Sequence, residues 1–184
     1  MPNHITNFLS IKGDINFTDL YSTLGKDDQG EEWLRVIDFN KIIPTPPHIF
    51  HGNLTSAHEE KYGKHNCWYQ WNINNWDTKW NAYSCVKHSD KLLQFDTAWT
   101  PPIKIYEALS MLHPNITFTI IWKDEGSDAI HRMEYFDGSC QSNKIIDHDP
   151  TEYDENEEPI LEWEFDKYAL EIFNKELQSL GVEV

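Results

Sequence analysis

Cysteine is scarce in this 184-residue chain: Cys67, Cys85 and Cys140 form an odd set with no C-x-x-C spacing. That argues against a disulfide framework and against a zinc ribbon, although two of the thiols retain the option of facing each other across neighbouring strands. Long apolar runs are also missing. No stretch approaches the roughly 20 apolar residues that a membrane-spanning helix needs, and the first residues lack the basic-then-apolar pattern of a secretory signal. The expectation is a soluble protein of the cytoplasm. Asn53-Leu54-Thr55 and Asn115-Ile116-Thr117 match the glycosylation sequon, but without a secretory route they read as chance. The familiar catalytic signatures are absent as well. There is no Gly-rich phosphate loop, no G-x-S-x-G elbow, no H-E-x-x-H and no recognisable Cys-His spacing.

Positive charge is in short supply. Fifteen Lys and Arg face 31 Asp and Glu, a formal charge of -16. Residues 147–184 hold thirteen of the acids against two Lys, a net of -11, which leaves -5 for everything before them. Such a field repels nucleic acid and attracts basic partners, with a strength that falls as salt rises. The alternative is that the acid serves only solubility. The length suits one good core rather than two, so the organisation expected is one domain over residues 1–146 and an acidic extension over 147–184.

His4 to Lys12 alternates apolar and polar residues and reads as a strand ending at Gly13. Ile15, Leu20 and Leu24 then lie near helical spacing over Asp14 to Leu24, with Gly25 as a stop. Residues 45–66 look like an inserted polar loop with room for a short helix. Trp68 to Trp76 leads into two strands, Lys79 to Lys87 and Leu92 to Ala98, joined around Ser89-Asp90. Thr100-Pro101-Pro102 predicts a helix start with Thr as the cap, and Ile103, Tyr106, Ala108, Leu109 and Leu112 mark its apolar stripe up to His113-Pro114. Strands follow at Ile116 to Trp122 and Ile130 to Phe136, the first closed by Asp124-Glu125-Gly126 and the second by Asp137-Gly138. In the extension, Thr151 to Pro159 reads as a loop, and Leu161, Trp163 and Phe165 alternate with acids as in a strand. A helix follows over Tyr168 to Leu180, with Ala169, Ile172, Phe173, Leu177 and Leu180 on one stripe.

Four motifs occur in a fixed order: M-P-N-H-I-T-N from Met1, D-F-N-K-I-I-P from Asp38, N-W-D-T-K-W-N-A-Y from Asn75 and F-D-T-A-W-T-P-P from Phe95. With them the chain resembles the YubB-like ferredoxin-like domain family of phage and plasmid proteins over roughly its first three quarters. The resemblance implies an α+β, ferredoxin-like βαββαβ antiparallel sheet with helices on one face, to which the acidic β-α extension is added. It implies a phage or plasmid context and no particular activity. Asp77 stands where the pattern leads us to expect Gly, and Asp tolerates a left-handed turn position at modest cost.

Four constellations are candidates for function. Trp68, Trp71, Trp76 and Trp80, with Tyr69 and Tyr83 and interleaved Asn, are a potential stacking surface for unpaired bases. Only Lys64 and Lys79 accompany them, whereas phosphate binding needs a basic groove, so the charge favours aromatics that fill the core and pin turns. His48, His51, His58, His65 and His88 cluster between Pro47 and Ser89, but Gly52 and Gly63 interrupt any common helix and a solvated loop is the simpler reading; Asp96, Asp124, Glu125 and Asp128 fit turn chemistry better than catalysis. Neither metal nor cofactor is expected, and the balance is against an enzyme. The fourth constellation is Glu152, Asp154, Glu155, Glu157, Glu158, Glu162 and Glu164. On an extended strand same-face carboxylates lie about 6 to 7 Å apart, close to the phosphate spacing of one nucleic-acid strand. The functional expectation is therefore a non-enzymatic phage or mobile-element protein that inhibits a basic host protein, such as a nuclease or CRISPR-type defence effector, by mimicking nucleic acid. Direct single-strand binding through the Trp-rich segment is the alternative, and an enzyme of unrecognised chemistry is a second. An edge strand at Leu161 to Phe165 also offers pairing to a second copy.

Overall fold

The computed structural model describes residues 3–26, 29–127, 129–146 and 163–179. Strand β1 is His4–Lys12, followed by helix α1 at Phe17–Tyr21 and a small hairpin, β2 Thr23–Lys26 and β3 Glu32–Arg35. After a 3-10 turn at Phe39–Lys41 come α2 (Ser56–Tyr62) and α3 (Trp68–Trp76). The hairpin β4 Tyr83–Ser89 and β5 Leu92–Ala98 leads to α4 Ile103–Leu112, then to β6 Thr117–Asp124, β7 Ile130–Phe136 and β8 Ser139–Ile146, and α5 spans Trp163–Ser179. The main sheet runs β4-β5-β1-β6-β7-β8, every pair antiparallel. Its first four strands with their crossovers form the ferredoxin-like arrangement, and β7 and β8 extend it at one side.

Alternation sorts the strand residues onto two faces. Leu9, Ile11, Leu93, Phe95, Phe118, Ile120, Met133 and Tyr135 join one buried cluster with Tyr106 and Leu109 of α4 and Trp71 and Trp76 of α3. Phe8, Leu92, Ile121 and Ile130 point the other way and are covered by Ala169 and Phe173 of α5. The extension thus packs as a helix on the face opposite α4, so the helices are not confined to one face. The expected strand from Leu161 to Phe165 is overturned for Trp163 to Phe165, which open α5; Leu161 and Glu162 lie outside the described residues. Three alternations fit a strand, but no breaker separates Trp163 from the amphipathic run after it. Asp166, in the first turn of the described helix, also favours it, since a carboxylate there meets the positive end of the backbone dipole.

Two other expectations change. Helix formation after β1 stops at Tyr21, because only Phe17 and Tyr21 find the core while Leu20 and Leu24 are exposed. Residues 23–26 instead pair with β3, where the Trp33 ring lies directly on Gly25 in space that a side chain would fill. The helix that packs beside α4 is α3. Polar residues are also buried on purpose: Asn7 donates to Ile5 O at 2.8 Å and Thr97 Oγ1 at 3.1 Å, and its Oδ1 accepts from the Tyr106 hydroxyl at 2.9 Å. This network ties β1, β5 and α4 together in one register, since an unmatched polar group there would be costly.

Candidate binding surface

The four motifs meet at one corner of the sheet, and most of their polar groups are spent on fixing the chain. Trp76 is buried, packs edge-on against Phe39 and Trp71, and donates its indole N–H to Ile43 O at 3.0 Å. Asp77 follows at φ 64°, ending α3 in the left-handed conformation. Its carboxylate accepts from the Lys104 backbone N–H at 3.1 Å and pairs with the Lys104 ammonium at 2.8 Å. Asp77 therefore caps α4 from a distance in sequence. Thr100, the expected cap, instead donates its hydroxyl to the Asp77 carbonyl. Thr78 exchanges two hydrogen bonds with the Ala98 backbone, at 2.9 and 3.1 Å. Asn81 donates to Asp38 at 2.7 Å and accepts from the backbone of Phe39 at 3.0 Å and Ala82 at 2.9 Å.

Asp38 is the hub of this fixing. Burial alone would raise its pKa, but hydrogen bonds from Thr23, Asn81 and the Asn40 backbone, with the nearby Arg35 charge, hold it below the ordinary carboxylate value. Asp96, bonded by Thr6 at 3.0 Å, shows the opposite outcome: burial raises its pKa beyond what its hydrogen bonds lower it. Tyr83 is pushed up to about 12 by burial and by the Asp96 and Glu125 charges, and its hydroxyl is hydrogen-bonded to His4 Nδ1 at 2.7 Å.

Between these fixed points the chain turns other side chains outward. Lys79 and Trp80 lie between Thr78 and Asn81; Trp99 lies between Ala98 and Thr100 at φ 76°. A bulky aromatic residue in the left-handed region is a conformational outlier, yet here both neighbours are bonded to Thr78 and Asp77 and hold it in place. Trp80 is 37% exposed and Trp99 39% exposed. The Lys79 ammonium lies over the Trp80 ring at 4.4 Å, the Trp99 ring at 5.1 Å and the Tyr69 ring at 5.9 Å. Tyr69 and Trp99 stand nearly perpendicular, at 84° with centroids 5.8 Å apart. Three rings thus surround one ammonium group, which has no carboxylate partner among the described residues.

The structure divides the four tryptophans expected to form one stacking surface. Trp71 and Trp76 are buried, Trp68 is half-buried with its indole N–H on Gly52 O at 3.2 Å, and Trp80 alone is exposed. Trp99 was missed, although it sits in a quoted motif; its only signal was its place just before Thr100-Pro101-Pro102, where the chain must leave the strand. The acids Glu152, Asp154, Glu155, Glu157, Glu158 and Glu162 lie outside the described residues, and Glu164 belongs to α5 rather than to a strand. Among the loop histidines, His58 stacks on Phe50 with centroids 4.6 Å apart, while His88 bonds Gln94 at 2.8 Å on the far side of the sheet. Among the described residues no three His, Cys, Asp or Glu gather to hold a metal ion. Asp124 and Glu125 serve the turn and β1, accepting from Gly126 N at 2.8 Å and His4 N at 2.9 Å; Asp128 is outside the described residues. Burial pushes the Cys85 thiol up, away from reactivity. Cys85 borders a cleft of about 560 Å³ between β3 and β4, whose wall carries Arg35, held by its Nε on Ala82 O at 2.8 Å and stacked on Trp33 at 4.7 Å.

No helix among the described residues is long and apolar enough to cross a membrane. No curated protein matches the chain. The crystal structure of a protein api92 from Yersinia pseudotuberculosis is similar at 12% identity and a TM-score of 0.38, with 46% of this chain covered and 32% of that one. The alignment thus spans about a third of that protein's length. Residues 76–171, from the end of α3 into α5, match the family model for the ferredoxin-like domain in Api92-like protein. The central strand β1 precedes the matched region, but Lys79, Trp80, both hairpin strands, α4 and β6 to β8 fall inside it, and the chain belongs to that ferredoxin-like, Api92-like family.

Proposed function

We propose that this is a non-enzymatic binding protein that captures a basic protein partner, with Tyr69, Trp80 and Trp99 as the anchoring residues and its negative charge as the steering field. The observation that carries the reading is Trp99, exposed beside Trp80 and held at φ 76° by bonds to both neighbours. Exposed Trp and Tyr side chains supply the largest binding energy per residue at protein interfaces. The formal charge of -16 selects for partners of the opposite sign and against phosphate backbones. Basic clefts belong to proteins that handle nucleic acid, so a nuclease or defence effector met by a phage or mobile element is the target class that fits this chemistry. The acidic residues Glu152, Asp154, Glu155, Glu157, Glu158, Glu162 and Glu164 contribute to that steering charge. Between Asp166 and Lys175 the charges balance, two acids against two Lys, so this attraction comes from the rest of the extension.

The test is capture of partners from a bacterial lysate by the tagged full chain, at low and high salt, with and without nuclease. A nuclease-resistant basic protein, released by salt and lost with Trp80→Ala plus Trp99→Gly, is the expected result. Charge reversal at Glu162 and Glu164 should weaken the same capture and steepen nothing else. Recovery of nucleic acid alone would transfer the surface to single-strand binding by base stacking and overturn the proposal.

A further inference from the structure

We infer that Tyr69, Trp80 and Trp99 form an aromatic cage for a cationic side chain of the partner, and that Lys79 is an internal occupant which that side chain displaces. This rests on the preceding reading of the surface as a protein-binding site. An ammonium group is attracted to the negative face of an aromatic ring, and cages of several rings are how proteins hold quaternary ammonium and methylated lysine. Here the cage is occupied by the chain's own cation: the Lys79 ammonium lies 4.4 Å from the Trp80 centroid, 5.1 Å from Trp99 and 5.9 Å from Tyr69. Tyr69 and Trp99 meet at 84°, two walls of a corner rather than a stack. That geometry suits a compact cation better than a flat base, which needs an open ring face of its own.

Two independent features show that the position of Lys79 is set by its backbone and not by its side chain. Its carbonyl accepts from Asn72 Nδ2 at 2.8 Å, and its neighbour Thr78 is tied to Ala98. The half-buried Lys79 side chain has no carboxylate partner among the described residues, and of these the three rings are what holds its ammonium. A flexible four-carbon stem can leave at little cost and carry its charge to solvent. The chain then offers a vacant corner of three rings within a strongly negative molecule, a combination that selects a Lys, methylated Lys or Arg of a basic protein.

The experiment uses the full chain and its Lys79→Ser and Lys79→Gln variants, with tetramethylammonium chloride and a trimethyllysine amide as probes and potassium chloride as the ionic-strength control. The indole N–H signals of Trp80 and Trp99 report binding in ¹H–¹⁵N spectra. Removal of Lys79 should tighten probe binding at least about tenfold over the unaltered chain, and Trp99→Gly in the same background should abolish it. The Lys79 variants should also retain the protein partner at least as well. Equal probe binding with and without Lys79, or probe binding indifferent to Trp99, would overturn the cage. If partner capture is lost in Trp80→Ala plus Trp99→Gly while the Lys79 variants gain nothing, the surface reading stands and the cage falls. If capture ignores Trp80 and Trp99, the surface reading itself falls, whatever the probes do.

Discussion

Trp76 and Trp80 lie four residues apart in one motif, and they have opposite fates. Trp76 ends a helix whose apolar side faces the sheet, and the Ile43 carbonyl satisfies its indole N–H inside the core. Trp80 lies past the left-handed turn at Asp77, on a loop whose alternate residues are bonded to other parts of the chain. The difference teaches that Trp content by itself does not define a surface. A tryptophan is buried where an acceptor waits for its N–H and packed neighbours fill its faces, and it is displayed where the backbone on both sides is already committed.

The largest effect that would break this contrast is on stability. Trp76→Ala should cost about 3 to 5 kcal/mol, the range for removing a large buried aromatic, whereas Trp80→Ala should stay within about 1 kcal/mol. Urea titration followed by circular dichroism measures both, and equal losses would show that Trp80 is structural.

Next is the fixing of the loop at Asp38. Its folded pKa is lowered, so its contribution to stability is present above the unfolded value and is lost as pH falls through the folded one. Asp96 has the opposite sign: its raised folded pKa gives a contribution that is present at low pH and is lost as pH rises through the folded value. Asp38→Asn should therefore lower stability at pH 7 and flatten its decline in acid, while Asp96→Asn should leave stability at pH 7 unchanged or raised. Unfolding midpoints from pH 3 to 7 decide it, and the same response from both variants would refute the assignment.

The smallest expected effect is at Trp99. Glycine adopts φ 76° freely, so Trp99→Gly relieves strain worth about 1 to 3 kcal/mol while it forfeits the contact with Tyr69. The two nearly cancel, and thermal unfolding should shift little although the binding surface is lost. A large destabilisation would place Trp99 with Trp76 as a residue of the fold.

Much of this architecture is legible in the residue order. His4 to Lys12, the pair around Ser89-Asp90, the helix after Pro102 and the strands flanking Asp124-Glu125-Gly126 all have the spacing that their elements demand. They matched in kind because period 2 and period 3.6 follow from backbone geometry and are written locally, although the strand expected from Lys79 opens only at Tyr83 and leaves Lys79 and Trp80 on a loop. β8 left no comparable mark: Ser139–Ile146 is mostly exposed, so no buried face imposed an apolar alternation. The corner site was legible only in part, since its motifs announced committed aromatics without saying which ones reach solvent.

The sequence by itself determined the ferredoxin-like order of elements, the acidic balance and the supply of aromatic residues at one corner. Only the tertiary structure decided that α5 covers the second face of the sheet, that Asp77 rather than Thr100 caps α4, and that Lys79 lies among Tyr69, Trp80 and Trp99. Each of those depends on at least one partner 20 or more residues away. A local pattern cannot encode such a choice, because it arises when the folded sheet brings separate donors, acceptors and rings within bonding distance.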